Sequence, residues 1–112
     1  MDDCIFCKIA RGDVPAKIVY RDRDAVAIED LSPQAPVHLL VLPVEHFTDV
    51  VAAAAHPALF GSLLGLAARL GQDRSDGRGF RVVVNTGPEG GQTVPHLHLH
   101  VLAGRQMTWP PG

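Results

Sequence analysis

Three imidazoles stand at positions 96, 98 and 100, separated by Leu97 and Leu99 and followed by Val101. In extended backbone alternate side chains share a face, so His96, His98 and His100 project together and the aliphatics project oppositely. Neighbouring histidines then start about 6.6 Å apart. A helix would scatter them around its axis, so the pattern has chemical meaning only as a strand. Three readings follow. The segment is a solvent-facing strand that carries histidine where Thr, Lys, Glu or Arg is usual, or it is a three-histidine zinc site of the hydrolytic kind, or it is a nucleophilic centre. Two histidines at i and i+2 can share a metal, but the third ligand usually arrives from elsewhere. Neutral imidazole is a good nucleophile near its ordinary pKa of about 6.5, and phosphorus-bound imidazole leaves readily. A nucleophilic ring must present one nitrogen while an acceptor holds the other. The flanking histidines would then supply donors to phosphate oxygens.

The segment just before the histidines suits the third reading. Residues 85–93 read Asn-Thr-Gly-Pro-Glu-Gly-Gly-Gln-Thr. Gly87, Gly90 and Gly91 allow backbone N–H groups to approach an anion, and Asn85 and Thr93 add side-chain hydrogen bonds. Phosphoryl-type transfer asks mainly for positioning and charge stabilisation. A second cluster is Cys4-x-x-Cys7, formed by the chain's only cysteines. In a reducing compartment such a pair means metal, redox chemistry or nothing.

The elements that must hold these groups can be read coarsely. Residues 4–10 form a short helix ended by Arg11-Gly12-Asp13. The runs 18–20 and 25–28 make an antiparallel hairpin across a charged turn. Two prolines in residues 32–36 make that stretch a loop. Residues 37–42 are a nearly continuous apolar run stopped by Pro43, the mark of a buried central strand. The main helix runs from Pro57 to Leu70, with Pro57 in its first turn and Gly71 as its stop. Leu59, Leu63, Leu66 and Leu70 make its apolar stripe. Strands at 80–84 and 97–102 complete an α+β domain. His56, beside Pro57, reads as a solvated surface residue.

A chain of 112 residues has room for a single domain, 1–112, burying roughly 65% of its unfolded surface. Its 46% hydrophobic and 20% charged residues make a folded chain the default over disorder. A net charge of −2 argues against a general binder of nucleic acid or anionic membrane. The acidic start Met1-Asp2-Asp3 lacks the basic, apolar character of a signal peptide, and no run approaches the roughly 20 residues that span a bilayer. The expected compartment is the cytoplasm, where thiols stay reduced.

The string His96-Leu97-His98-Leu99-His100-Val101-Leu102 resembles the signature of the histidine triad (HIT) superfamily. Residues 30–38 look like its ribose-contacting loop and following strand, 81–85 like its fourth strand, and 104–112 like the tail of its nucleotide-binding branch. The resemblance covers about residues 4–112. It implies a HIT-like fold: a five-stranded antiparallel sheet with one long and one short helix, dimerising into a continuous sheet. The implied activity is purine nucleoside phosphoramidase, through a nucleotidyl intermediate on His98. The implied ligand is a purine mononucleotide or nucleoside phosphoramidate, with no organic cofactor.

Carried over residue by residue, His98 is the nucleophile. His96 and His100 flank it, His100 binding phosphate oxygens, and His38 is a further active-site histidine. Asp30, with Leu31 beside it, holds the ribose, Asn85 contacts phosphate from the loop of Gly91, and Thr93 stands near the leaving amine. Trp109 reaches the partner's site and shapes amine selectivity. In many bacterial relatives a structural zinc is held at the positions matching Cys4, Cys7, His46 and His96. Two other activities use the same residues: dinucleoside polyphosphate hydrolysis or nucleotidyl transfer at P–O bonds, and nucleotide sensing without catalysis. Pro95, where this branch often has a free N–H, removes a donor just before the triad and pushes Val94 toward extended backbone.

Overall fold

The computed structural model describes residues 3–112. Helix α1 (Ile5–Arg11) opens on Cys4, whose sulfur accepts the Cys7 N–H, and closes on Gly12 at φ 83°. That left-handed turn is cheap only for glycine. Strands β1 (Ile18–Arg21) and β2 (Ala25–Glu29) form the expected hairpin. Its turn is tied by the Asp22 carboxylate, which accepts the N–H groups of Asp24 and Ala25. Strand β3 (Val37–Pro43), helices α2 (Val50–Ala53) and α3 (Pro57–Arg74), and strands β4 (Phe80–Val83) and β5 (Leu99–Ala103) follow. The sheet is antiparallel throughout, in the order β1-β2-β3-β5-β4.

Strand alternation divides the interior in two. Ala25, Ala27, Leu39, Val41, Leu97, Leu99 and Val101 face α3 and pack with Leu63, Leu66 and Ala67. Val26, Ile28, Leu40 and Leu42 face the other way, against Phe6, Ile9 and Ala10 of α1. The central strands β2 and β3 are therefore covered on both faces, which is why residues 37–42 read as continuous apolar sequence. The histidines fall on the α1 side. No helix among the described residues is long and apolar enough to cross a membrane.

Four local expectations are corrected. Helix α3 continues to Arg74 and ends on Ser75, so Gly71 lies within it. Its missing side chain makes room for an aromatic ring: a Cβ there would meet Phe80 Cδ2 at 2.4 Å. Glycine serves close packing here, and the helix exits instead through Asp76 and Gly77, both at positive φ. Strand β4 ends at Val83, paired with His100. Strand β5 starts at Leu99, two residues later than expected, because Val41 pairs with Leu99 and the next inward-facing site on β3 is Pro43, which has no N–H to give. The Leu97 N–H goes to Phe47 O instead, at 2.6 Å. Finally, the described residues form two short helices: α2 was not anticipated, and Asp49 caps it by accepting the Ala52 N–H.

Candidate active site and metal cluster

His96 and His98 precede the β5 ladder, yet side-chain alternation persists through them. Leu97 and Leu99 are buried under α3, while Phe6 of α1 packs edge-on against both His96 and His98. Pro95 sits at the centre of a tight turn in which the His96 N–H returns to Val94 O. The donor that proline lacks is one the turn does not need.

Hydrogen-bond partners fix each ring's tautomer, because a carbonyl only accepts and an amide N–H only donates. His98 Nδ1 lies 2.8 Å from His96 O, so it carries the proton and Nε2 keeps its lone pair. His98 lines a cleft, and its Nε2 has no hydrogen-bond partner among the described residues. The Gln34 N–H donates to His38 Nδ1, leaving the proton on Nε2, which donates to His100 Nδ1 at 2.9 Å. His100 therefore carries its proton on Nε2. The result is a lone pair on the middle ring and a donor on the last, side by side with ring centroids 5.0 Å apart.

Burial keeps the His100 and His38 rings neutral. Burial pushes His100 down to about 4, helped by His98 and His38 and opposed by Asp30. Burial also lowers His38, against the pull of Asp30, whose carboxylate lies 3.4 Å from Nε2. Asp30, His38 and His100 converge closely enough to suggest a metal site. Yet His38 Nε2 holds a proton aimed at His100, and Nδ1 is taken by the Gln34 N–H, so Gln34, His38 and His100 form a hydrogen-bonded relay with the Asp30 carboxylate beside it.

The cleft has a volume of about 300 Å³. Its wall is largely apolar, from Phe6, Ile9, Val14, Ile28 and Leu40, with exposed Lys17 at its rim and Asp30, Thr93, His98 and His100 as polar lining. Leu31 is 96% exposed at this rim. An apolar slot ending in convergent polar groups suits a flat ring system joined to an anion.

The loop behaves differently from expectation. The Gly91 N–H goes to Pro88 O, the Gly87 N–H to the Gln92 side chain, and the Gln92 N–H to Gly87 O. These amides hold the loop itself. Asn85 donates to Gly90 O at 2.7 Å and does not line the cleft. Gly90 is required because a Cβ would lie 2.1 Å from Thr86 O. Of the loop's candidates only Thr93 reaches the cleft. Trp109 is 83% exposed, and His56 is exposed with its ring on Phe47.

The remaining histidines meet the cysteines. Cys4 Sγ lies 3.3 Å from His96 Nδ1, and Cys7 Sγ lies 3.3 Å from His46 Nδ1 and 3.5 Å from His96 Nδ1. A tetrahedral zinc would set thiolate–imidazole separations at about 3.6 Å. His96 Nε2 donates to Pro43 O at 2.9 Å, so Nδ1 turns a lone pair toward both sulfurs. All four ligand atoms lie within 4.8 Å of one another. Burial, then the adjacent Cys4, raises the Cys7 thiol above its ordinary value; a dication would reverse this by holding the thiolate. The donor set fits a closed structural zinc.

Four contributors were not legible in the sequence: Phe6, Gln34 through its N–H, and the carbonyls of Pro43 and His96. Only Phe6 left a trace, as one of the two apolar residues, Ile5 and Phe6, between the cysteines.

An antiparallel α+β domain with a histidine-lined cleft beside a Cys₂His₂ cluster is thus the class that fold and site define. The chain belongs to the HIT domain family, whose model matches residues 11–107. It is 44% identical to a HIT family hydrolase from Legionella pneumophila, with a TM-score of 0.94 over 98% of this chain and 100% of that one. A histidine triad protein from Clostridium difficile matches at 38% identity and a TM-score of 0.91, with 96% of each chain covered. A "14 kDa zinc-binding protein" of Brassica juncea is 41% identical over 113 residues, covering 98% of this chain and all of that one.

Proposed function

We propose that this HIT protein is a purine nucleoside phosphoramidase that works through a nucleotidyl group carried on His98. The observation that carries the reading is the His98 tautomer: Nδ1–H is held by His96 O, and the unpartnered Nε2 belongs to a ring lining the cleft. The base lies in the apolar slot, Asp30 and Leu31 take the ribose end, and the phosphate sits against His100. His98 Nε2 attacks phosphorus as the P–N bond breaks, and the amine leaves with a proton taken from solvent water on the Thr93 side of the cleft, which the water consumed in the second step returns. The imidazolium so formed keeps Nδ1–H on the His96 carbonyl, which stabilises its charge. Water then attacks phosphorus, the P–N bond to His98 breaks, and the nucleoside monophosphate departs. His100, neutral at physiological pH, donates Nε2–H to a phosphate oxygen in both steps.

Asn85 and Gly91 shape the loop that delivers Thr93, and Trp109 extends to a partner's cleft, its exposure in the single chain being consistent with that role. The free edge of β4, half-buried along its length, supports a homodimer with a continuous sheet. Zinc on Cys4, Cys7, His46 and His96 supplies structural cross-linking, and the protein works in the cytoplasm. The HIT hydrolase likeness favours catalysis over a sensing role. The test is hydrolysis of an adenosine phosphoramidate with a fluorescent amine by wild type and His98→Ala, with a diadenosine polyphosphate in parallel. Equal rates for the two proteins would remove His98 as nucleophile, and faster cleavage of the polyphosphate would favour the P–O hydrolase reading.

A further inference from the structure

One residue of the metal cluster is joined covalently and by hydrogen bond to the ring proposed to react. His96 offers Nδ1 to the two sulfurs, anchors Nε2–H on Pro43 O, and accepts the His98 Nδ1–H on its own carbonyl. It is completely buried, and the following residue hangs on Phe47 O by a 2.6 Å hydrogen bond. A second connection runs through α1. Phe6 lies between Cys4 and Cys7 in sequence, and its ring meets His98 at 5.0 Å and 78°, and His96 at 5.8 Å and 84°. The two residues that would bind the metal from α1 therefore bracket the side chain that packs on the nucleophile.

We propose that the Cys4, Cys7, His46 and His96 cluster, when it holds zinc, positions His98 as well as bracing the fold, with His96 and Phe6 as the positioning residues. The claim rests on the His98 reading above but concerns the ring's placement, which is measurable without turnover. Zinc fixes the His96 side chain and, through it, the carbonyl that holds the His98 proton on Nδ1. It also ties down both ends of the segment bearing Phe6. Metal loss releases two restraints on one ring; Phe6 also lines the cleft, so part of the base contact loosens with it, while Asp30, Leu31, Ile28 and Leu40 line the cleft from other elements. The expected signature is a fall in kcat that exceeds the fall in nucleotide affinity. Partners that orient a reacting group in this indirect way are typically worth about 10–100-fold in activity.

The experiment compares zinc-loaded wild type, the same protein after chelation, Cys4→Ser, and Cys4→His, which retains a ligand. Nitrogen-15 imidazole spectra report the His98 tautomer, calorimetry reports AMP affinity, and circular dichroism reports the fold. The proposal expects His98 to hold Nδ1–H in loaded wild type and Cys4→His, and to become a tautomer mixture in the chelated protein and Cys4→Ser. AMP affinity should fall by less than kcat does, and kcat should fall at least about tenfold. An unchanged His98 tautomer in the metal-free folded protein would overturn it. So would affinity and kcat falling by equal factors, or a metal-free chain that does not fold, since either makes the cluster a brace only. Should wild type cleave no phosphoramidate, the functional reading fails, while the spectra still decide this one.

Discussion

Protonation of His100 is linked to stability with a definite sign. The ring's folded pKa is about 4 against an ordinary 6.5. At pH 5 the unfolded chain binds a proton on this imidazole and the folded chain does not. Stability is then complete above pH 6.5 and falls as pH drops toward 4. At pH 5 the linkage amounts to about 2 kcal/mol before screening. His100 is only partly buried, so solvent screening reduces this to about 1 kcal/mol. The perturbation is His100→Gln, which keeps a polar side chain and cannot titrate. Urea unfolding of both proteins at pH 8, 7, 6 and 5 gives the measurement. Contributions from groups other than His100 are common to both proteins and cancel in the difference. Wild type should lose about 1 kcal/mol more than His100→Gln between pH 8 and 5. Parallel curves would show that His100 titrates normally, and the neutral-donor role assigned to it would lose its support.

Elemental analysis should find one zinc per chain in wild type and none in Cys7→Ser, with a lower Tm for the variant; equal Tm values would rule out cross-linking by metal. Gly71→Ala should cost about 1 kcal/mol, because overpacking against Phe80 of about 2 kcal/mol exceeds the helix-propensity gain of about 1 kcal/mol. A more stable variant in chemical denaturation would show that the ring swings away freely. Leu63→Ala, at a fully buried site facing β3 and β5, should cost about 2–5 kcal/mol by the same assay. Trp109→Ala should leave Tm unchanged and alter kcat/KM among phosphoramidates of different amines; a large loss of Tm would make the tryptophan a structural residue.

Strand alternation at residues 96–100, the proline-bounded run at 37–42, the hairpin and the leucine stripe of α3 were all legible because each is a local repeat with a fixed geometric meaning. So was the candidate metal set, but only through family resemblance: spacing gave Cys4 and Cys7, and nothing local linked them to His46 or His96. Local reading failed where a neighbour distant in sequence decided the outcome. Gly71 has the chemistry of a helix stop, and Phe80 makes it a packing site. Gly87 and Gly91 suit an anion cradle, and Pro88, Gln92 and Gly87 take up the loop's donors.

Residue types and their period of two determined by themselves that three imidazoles face one way. Tertiary structure decided which nitrogen of each ring is free and what it faces. His96 turns into the sulfur cluster, His98 presents a lone pair, and His100 presents a proton, because Pro43, Gln34, His38 and the His96 carbonyl hold particular nitrogens. Which nitrogen carries the proton depends on whether its neighbour in space donates or accepts. Apart from the His96 carbonyl, two residues away, those neighbours are four to 62 positions distant along the chain.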